Sequence, residues 1–148
     1  MNKNNILYKH IKRGRWHYYI SSERKKLDLS QSGKWMYFFK DQTFAFKICR
    51  LAIKSKSCYE CKCTNIKLAQ YNEGVICFYN NVDDIQMHKK IISFMKDNNL
   101  IKKTKNGKYY NISFKMDSQT RNLEYGVMFN AQLKLENFID LDTGEFII

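Results

Sequence analysis

The stretch KWMYFFKDQTFAFKICRLAIK, residues 34–54, holds two kinds of order side by side. Its first six residues, Lys34-Trp35-Met36-Tyr37-Phe38-Phe39, are apolar or aromatic on both parities. That is the pattern of a strand inside a sheet and covered on both faces. Asp41 then offers a side-chain oxygen to the free amides of a helix start, and Phe44, Ile48, Leu51 and Ala52 recur at helical spacing. The helix should fade at Ser55–Ser57. A dense strand feeding an amphipathic helix is the unit from which an α+β domain is built.

Working outward, residues 5–11 and 15–20 are strand-like and flank Arg13-Gly14, a first hairpin. Residues 21–33 are polar and read as a loop. Residues 59–67 are extended, Asn72-Glu73-Gly74 is a turn, and residues 75–79 form a buried strand. Asp83 or Asp84 caps a second helix with the stripe Ile85, His88, Ile91, Ile92 and Met95, ending at Asn98-Asn99. Residues 100–105 and 108–115 flank Asn106-Gly107, a dipeptide suited to a type I′ turn. Residues 116–131 are polar and irregular, with room for a short helix. Residues 133–141 and 145–148 flank Asp142-Thr143-Gly144, a terminal hairpin. The expectation is one α+β domain over residues 1–148: a curved, mostly antiparallel sheet with two main helices on one face, leaving the other face concave and aromatic.

The 148 residues carry 26 Lys+Arg against 14 Asp+Glu, a net charge of +12. Lysine supplies most of it, and lysine is a solvated point charge rather than a fork that reads base edges. Residues 1–26 hold eight basic groups and one acid, whereas residues 116–148 hold two and six, so the anion-seeking part is not the tail. A lysine-coated soluble surface accounts for this composition, and so does a phosphate-bearing partner. No apolar run reaches the roughly 20 residues of a membrane span. Lysines and arginines interrupt the first fifteen residues, so a cytoplasmic protein is expected. Five cysteines, an odd number, point to reduced structural thiols. Cys58-x-x-Cys61-x-Cys63 is the one metal-like spacing, and a fourth ligand would have to come from Cys49 or Cys77.

The segment Gly33–Phe39, its helix, the extended segment with Lys62 and the strand Gly74-Val75-Ile76-Cys77-Phe78-Tyr79 form one motif. Ser113-Phe114-Lys115-Met116-Asp117-Ser118-Gln119-Thr120-Arg121, running to Tyr125-Gly126, forms another. In this order they resemble the small bacterial and phage proteins called phosphothreonine lyase domains, and the related basophilic-leukaemia-expressed protein family. The resemblance covers residues 33–126. It implies a fold like the cytoplasmic cap-binding translation initiation factor, a curved antiparallel sheet backed by helices. Proteins of that fold hold a methylated guanine between two loop tryptophans. Here Trp16 and Trp35 fall inside apparent strands, and Tyr71 lies on a connecting segment.

The lyase resemblance implies a base, an acid and phosphate-holding cations. Lys62 is the candidate base and His17, between Trp16 and Tyr18, the candidate acid. Lys62, Lys115 and Arg121 are the candidate phosphate cations, with Asp117 and Thr120 beside Arg121. Arg121 has an equally simple structural use, pairing with Asp117 or Glu124. Trp35, Trp16 and Tyr125 are the candidate stacking rings; the plainer assignment for most rings is core. No phosphate loop of the GxxxxGK[ST] type, no His-Glu-x-x-His helix and no cofactor motif is present. The leading expectation is a protein that binds a small phosphorylated ligand: a nucleotide, a cyclic nucleotide signal or a short oligonucleotide. A phage counter-defence protein that sequesters or degrades a host nucleotide signal is one setting for that chemistry. Beside it stand a phosphothreonine-lyase-like enzyme and an anti-CRISPR-type inhibitor that contacts RNA or a host defence protein.

Overall fold

The computed structural model describes residues 8–118 and 133–148. Seven strands form one open sheet: β1 (Tyr8–Arg13), β2 (Trp16–Ser21), β3 (Ser32–Phe39), β4 (Glu60–Thr64), β5 (Gly74–Asn81), β6 (Ser113–Met116) and β7 (Leu133–Lys134). They lie in the order β1-β2-β4-β5-β3-β6-β7, and every neighbouring pair is antiparallel. Two helices, α1 (Gln42–Lys54) and α2 (Ile85–Asp97), complete an α+β architecture with the expected curved sheet.

Both helices start where the sequence supplies a cap. Asp41 accepts from the amides of Thr43 at 3.0 Å and Phe44 at 3.4 Å. Asp84, rather than Asp83, accepts from the Met87 amide at 3.1 Å. Register then settles which residues meet the helices. His10, Tyr19, Cys61, Phe78 and Trp35 form one row across β1, β2, β4, β5 and β3. The Cys61 thiol donates to the Cys49 carbonyl of α1, Phe78 meets Phe94 of α2, and Trp35 meets His88 of α2. Both helices therefore cover the same side.

Trp35 anchors that side. It is fully buried against Phe114, Phe138 and His88, with ring centroids 5.4–5.9 Å apart. Its Nε1–H donates to His88 Nδ1 at 3.1 Å, so the other ring nitrogen of His88 must carry the proton it shares with the Val82 carbonyl, 2.9 Å away. Burial pushes the His88 pKa down, which keeps the ring neutral. Trp35 cannot stack on a ligand; its expected role is corrected to a core residue whose polar edge is matched inside.

Two expected hairpins are smaller than the hydrophobic pattern implied. Around Asn106-Gly107 only one bridge forms, Lys103 to Tyr109. Gly107 is at φ +82° while Asn106 is not left-handed. The Gly107 amide donates to Thr104 O and the Thr104 amide to Lys108 O. This is a three-residue loop closed by a glycine bulge, not a type I′ turn. The terminal segment keeps its turn, with one bridge between Ile139 and Phe146 and Gly144 at φ +80°, but Leu135–Asn137 is a short 3-10 turn. Strand β3 is covered on both faces only in its first half: Lys34 and Trp35 are buried, whereas Phe38 is 56% exposed. Among the described residues, no helix is long and apolar enough to cross a membrane.

Candidate functional site

The side of the sheet away from the helices carries the opposite chemistry. Tyr18, Lys62, Cys77 and Met36 form one row across β2, β4, β5 and β3. Ile20, Glu60, Tyr79, Lys34 and Lys115 form the next, ending on β6. Trp16, Thr64, Val75 and Phe38 continue the face toward the β4–β5 connection. Cations and rings therefore share one surface that spans five strands.

Lys62 is the centre of this face. Its Nζ sits 3.8 Å from the Trp16 ring centroid, 5.6 Å from Tyr18 and 5.7 Å from Tyr79. Aromatic faces are negative and attract the ammonium group. Among the described residues no carboxylate lies within ion-pair distance of it. Burial pulls the Lys62 pKa below the ordinary lysine value, and Lys34 adds a smaller push in the same direction. Two carboxylates of the face, Glu60 and Asp117, are engaged elsewhere. Glu60 accepts from Arg24 Nε at 2.5 Å. Asp117 takes Lys34 Nζ at 3.1 Å on one oxygen and the Ser32 hydroxyl at 2.6 Å on the other. Beneath Lys62, burial raises the Cys77 thiol to about 11, so it stays neutral.

A cavity of about 260 Å³ opens at the edge of the face, over Thr64 and Val75. Trp16, Phe38 and Tyr71 are the rings in its lining, Arg15 its cation and Glu73 its one carboxylate among the described residues. Tyr71 is 85% exposed and sits at φ +64°, where a residue with a Cβ is uncommon. An exposed ring held in that conformation is an outlier at the rim of a cavity, the kind of position where strain accompanies function. Tyr71 was visible in the sequence only as a connecting residue, and nothing local separates it from a solvated loop tyrosine. Phe38 was absorbed into the dense strand reading.

The expected site residues divide. Trp16, Lys62, Lys115 and Asp117 lie on the open face, with Lys62 on Trp16 at one end and Lys115 and Asp117 beside Lys34 at the other. Lys115 is buried and pairs across the strands with Lys34, a lysine the sequence reading passed over. Trp35 is in the core. His17 does not meet Lys62. Its register partner on β4 is Cys63, one residue from Lys62, so strand parity places the two on opposite faces. His17 Nδ1 is instead 3.0 Å from His10 Nε2, and its ring packs on Phe46 of α1. Burial, then His10 and Lys12, lower its pKa. The third histidine, His88, is the Trp35 partner described above. The lyase expectation thus loses histidine as its acid, because all three histidines belong to the helix side. Thr120, Arg121 and Tyr125 lie outside the described residues.

All five cysteines are buried free thiols. Cys61 and Cys63 point toward α1, which contributes Cys49, while Cys77 lies on the other face. Among the described residues, no group of three or more His, Cys, Asp or Glu side chains is arranged to hold a metal ion. No protein-family model matches the chain, and no curated protein matches it.

Proposed function

We propose that the open face binds a phosphorylated ligand bearing a planar ring, with a nucleotide as the chemistry that matches both halves of the site. The observation that carries this reading is the placement of Lys62. Its ammonium group is stacked on Trp16 with no carboxylate partner among the described residues, and its row lies between the row of Lys34 and Lys115 and the ring-lined cavity. A phosphate oxygen supplies the anion that Lys62 lacks, and charge-assisted contacts are the strong class of hydrogen bond. A base entering between Trp16, Phe38 and Tyr71 buries apolar ring surface that the free protein leaves partly wet. Arg15 stands at the same rim as a second cation.

The face suits binding better than elimination chemistry. Lys62 has the lowered pKa of a base, but no histidine is on its side of the sheet to protonate a leaving phosphate. The test is calorimetry and thermal shift with the four nucleoside monophosphates, the matching nucleosides and inorganic phosphate. Nucleotides are expected to raise the melting temperature and to bind more tightly than nucleoside or phosphate alone. Lys62→Gln is expected to weaken nucleotide binding at least tenfold, about 1.4 kcal/mol. If no phosphorylated compound binds, or if Lys62→Gln leaves the affinity unchanged, the reading fails.

A further inference from the structure

Phe38 projects from the open face with 56% of its surface exposed, and it is shared by two cavities. One is the 260 Å³ cavity with Trp16, Tyr71 and Arg15. The other, about 300 Å³, is enclosed by Met36, Leu100 and Ile112, with Tyr110 as its exposed ring and Lys102 as its cation. Each thus repeats the same pair of elements, an exposed tyrosine and a basic side chain, on either side of one exposed phenylalanine. Tyr71 is 85% and Tyr110 47% exposed. Phe38, Tyr71 and Tyr110 are three large rings left partly in water around these two cavities.

We infer that the ligand is a dinucleotide unit, two bases joined through phosphate, with one base in each cavity and the Phe38 ring between them. This rests on the nucleotide reading above and goes further, because a single base fills one cavity and leaves the second ring and cation without use. Stacking on aromatic side chains is tolerant of base identity, so the two cavities need not be specific to one base. Arg15 and Lys102 flank the two base positions and neutralise the backbone on either side of the wedge. The same chemistry is offered by a free dinucleotide and by a stretch of single-stranded nucleic acid.

The test compares three probes for each of the four bases by calorimetry on the full chain: the nucleoside monophosphate, the 5′-phosphorylated dinucleotide, and a ten-nucleotide single strand. The dinucleotide is expected to bind at least tenfold more tightly than the monophosphate. A decamer no tighter than the dinucleotide, after allowing for its overlapping sites, assigns the source as a free dinucleotide, and a tighter decamer assigns it as a single strand. Tyr110→Ala should remove most of the dinucleotide advantage, whereas Tyr71→Ala should weaken monophosphate and dinucleotide binding alike. Because Tyr110 is a surface ring, its truncation should leave the melting temperature nearly unchanged, which is checked on the same samples. Equal affinity for one-base and two-base ligands, or a Tyr110→Ala variant that retains the dinucleotide advantage, overturns the inference while leaving the nucleotide reading standing. Failure of every probe to bind removes both.

Discussion

The two faces of the sheet are made by the same strands and differ in almost everything else. Toward the helices stand Tyr19, Cys61, Cys63, Ile76, Phe78 and Trp35, each close to fully buried, with His88 held neutral among them. Away from the helices stand Trp16, Tyr18, Lys62, Tyr79, Lys34 and Lys115, where rings and ammonium groups share the surface. One tryptophan falls on each side. Trp35 has its indole N–H matched by an imidazole inside the core, while Trp16 offers its ring face to a lysine. A side chain's role here follows from strand parity, and parity converts a one-residue step into a change of solvent.

The comparison breaks most visibly at the tryptophans. Trp35→Ala should destabilise the fold by about 3–5 kcal/mol, read from urea unfolding, because it empties the centre of the core. Trp16→Ala should cost less than about 1 kcal/mol and act on nucleotide affinity instead. Equal losses from the two would mean that the faces are not distinct.

A somewhat smaller effect is expected where the sheet is tightest. A Cβ on Gly33 would lie 2.6 Å from the Lys115 carbonyl and 2.6 Å from the Phe114 ring. Gly33→Ala should therefore push β6 from β3 and lower stability by about 1–3 kcal/mol. It should also weaken nucleotide binding, since Lys34 and Lys115 are neighbours across that pair. Stability unchanged in urea unfolding would contradict the register.

The pH dependence of binding sharpens the contrast on the open face alone. Burial lowers the Lys62 pKa, so on raising the pH this ammonium group loses its proton before an ordinary lysine side chain would, whose reference value is about 10.4. Nucleotide affinity should fall as pH climbs toward that range, and the fall should be much reduced in Lys62→Gln. Bound phosphate favours the charged form, so the Lys62 midpoint, followed by NMR of its side chain, should move up on ligand addition.

The smallest effect is the most diagnostic for chemistry. His17→Ala sits behind the sheet from Lys62 and should leave nucleotide affinity within about twofold of the parent, with only a minor loss of stability. A large loss of binding or of any turnover on His17→Ala would place His17 back in the site.

Much of the fold was legible because it is written in local pattern. The caps at Asp41 and Asp84 and most of each helix stripe depend on near neighbours along the chain, though Leu51 and Ile85, expected in the stripes, are each 40% exposed. The open basic face was legible in part: Trp16, Lys62, Lys115 and Asp117 were singled out and lie on one face, spread over several strands, with contacts only between Trp16 and Lys62 and between Asp117 and Lys34. The Asn106-Gly107 reading went astray because Gly107 takes a left-handed conformation in either turn, and only the Asn106 backbone and the hydrogen bonds around Thr104 tell a two-residue loop from a three-residue one.

By itself, the chain determined that an antiparallel α+β domain forms and that a surplus of lysine must find anions or water, since periodicity and charge are properties of sequence. Tertiary structure alone decided which tryptophan is core, that His17 and Lys62 stand back to back, and that Phe38 lines both the cavity with Tyr71 and the cavity with Tyr110. Alternation says that neighbours on a strand face opposite ways. It does not say which way the helices lie, because that is settled by contacts between residues far apart in the chain.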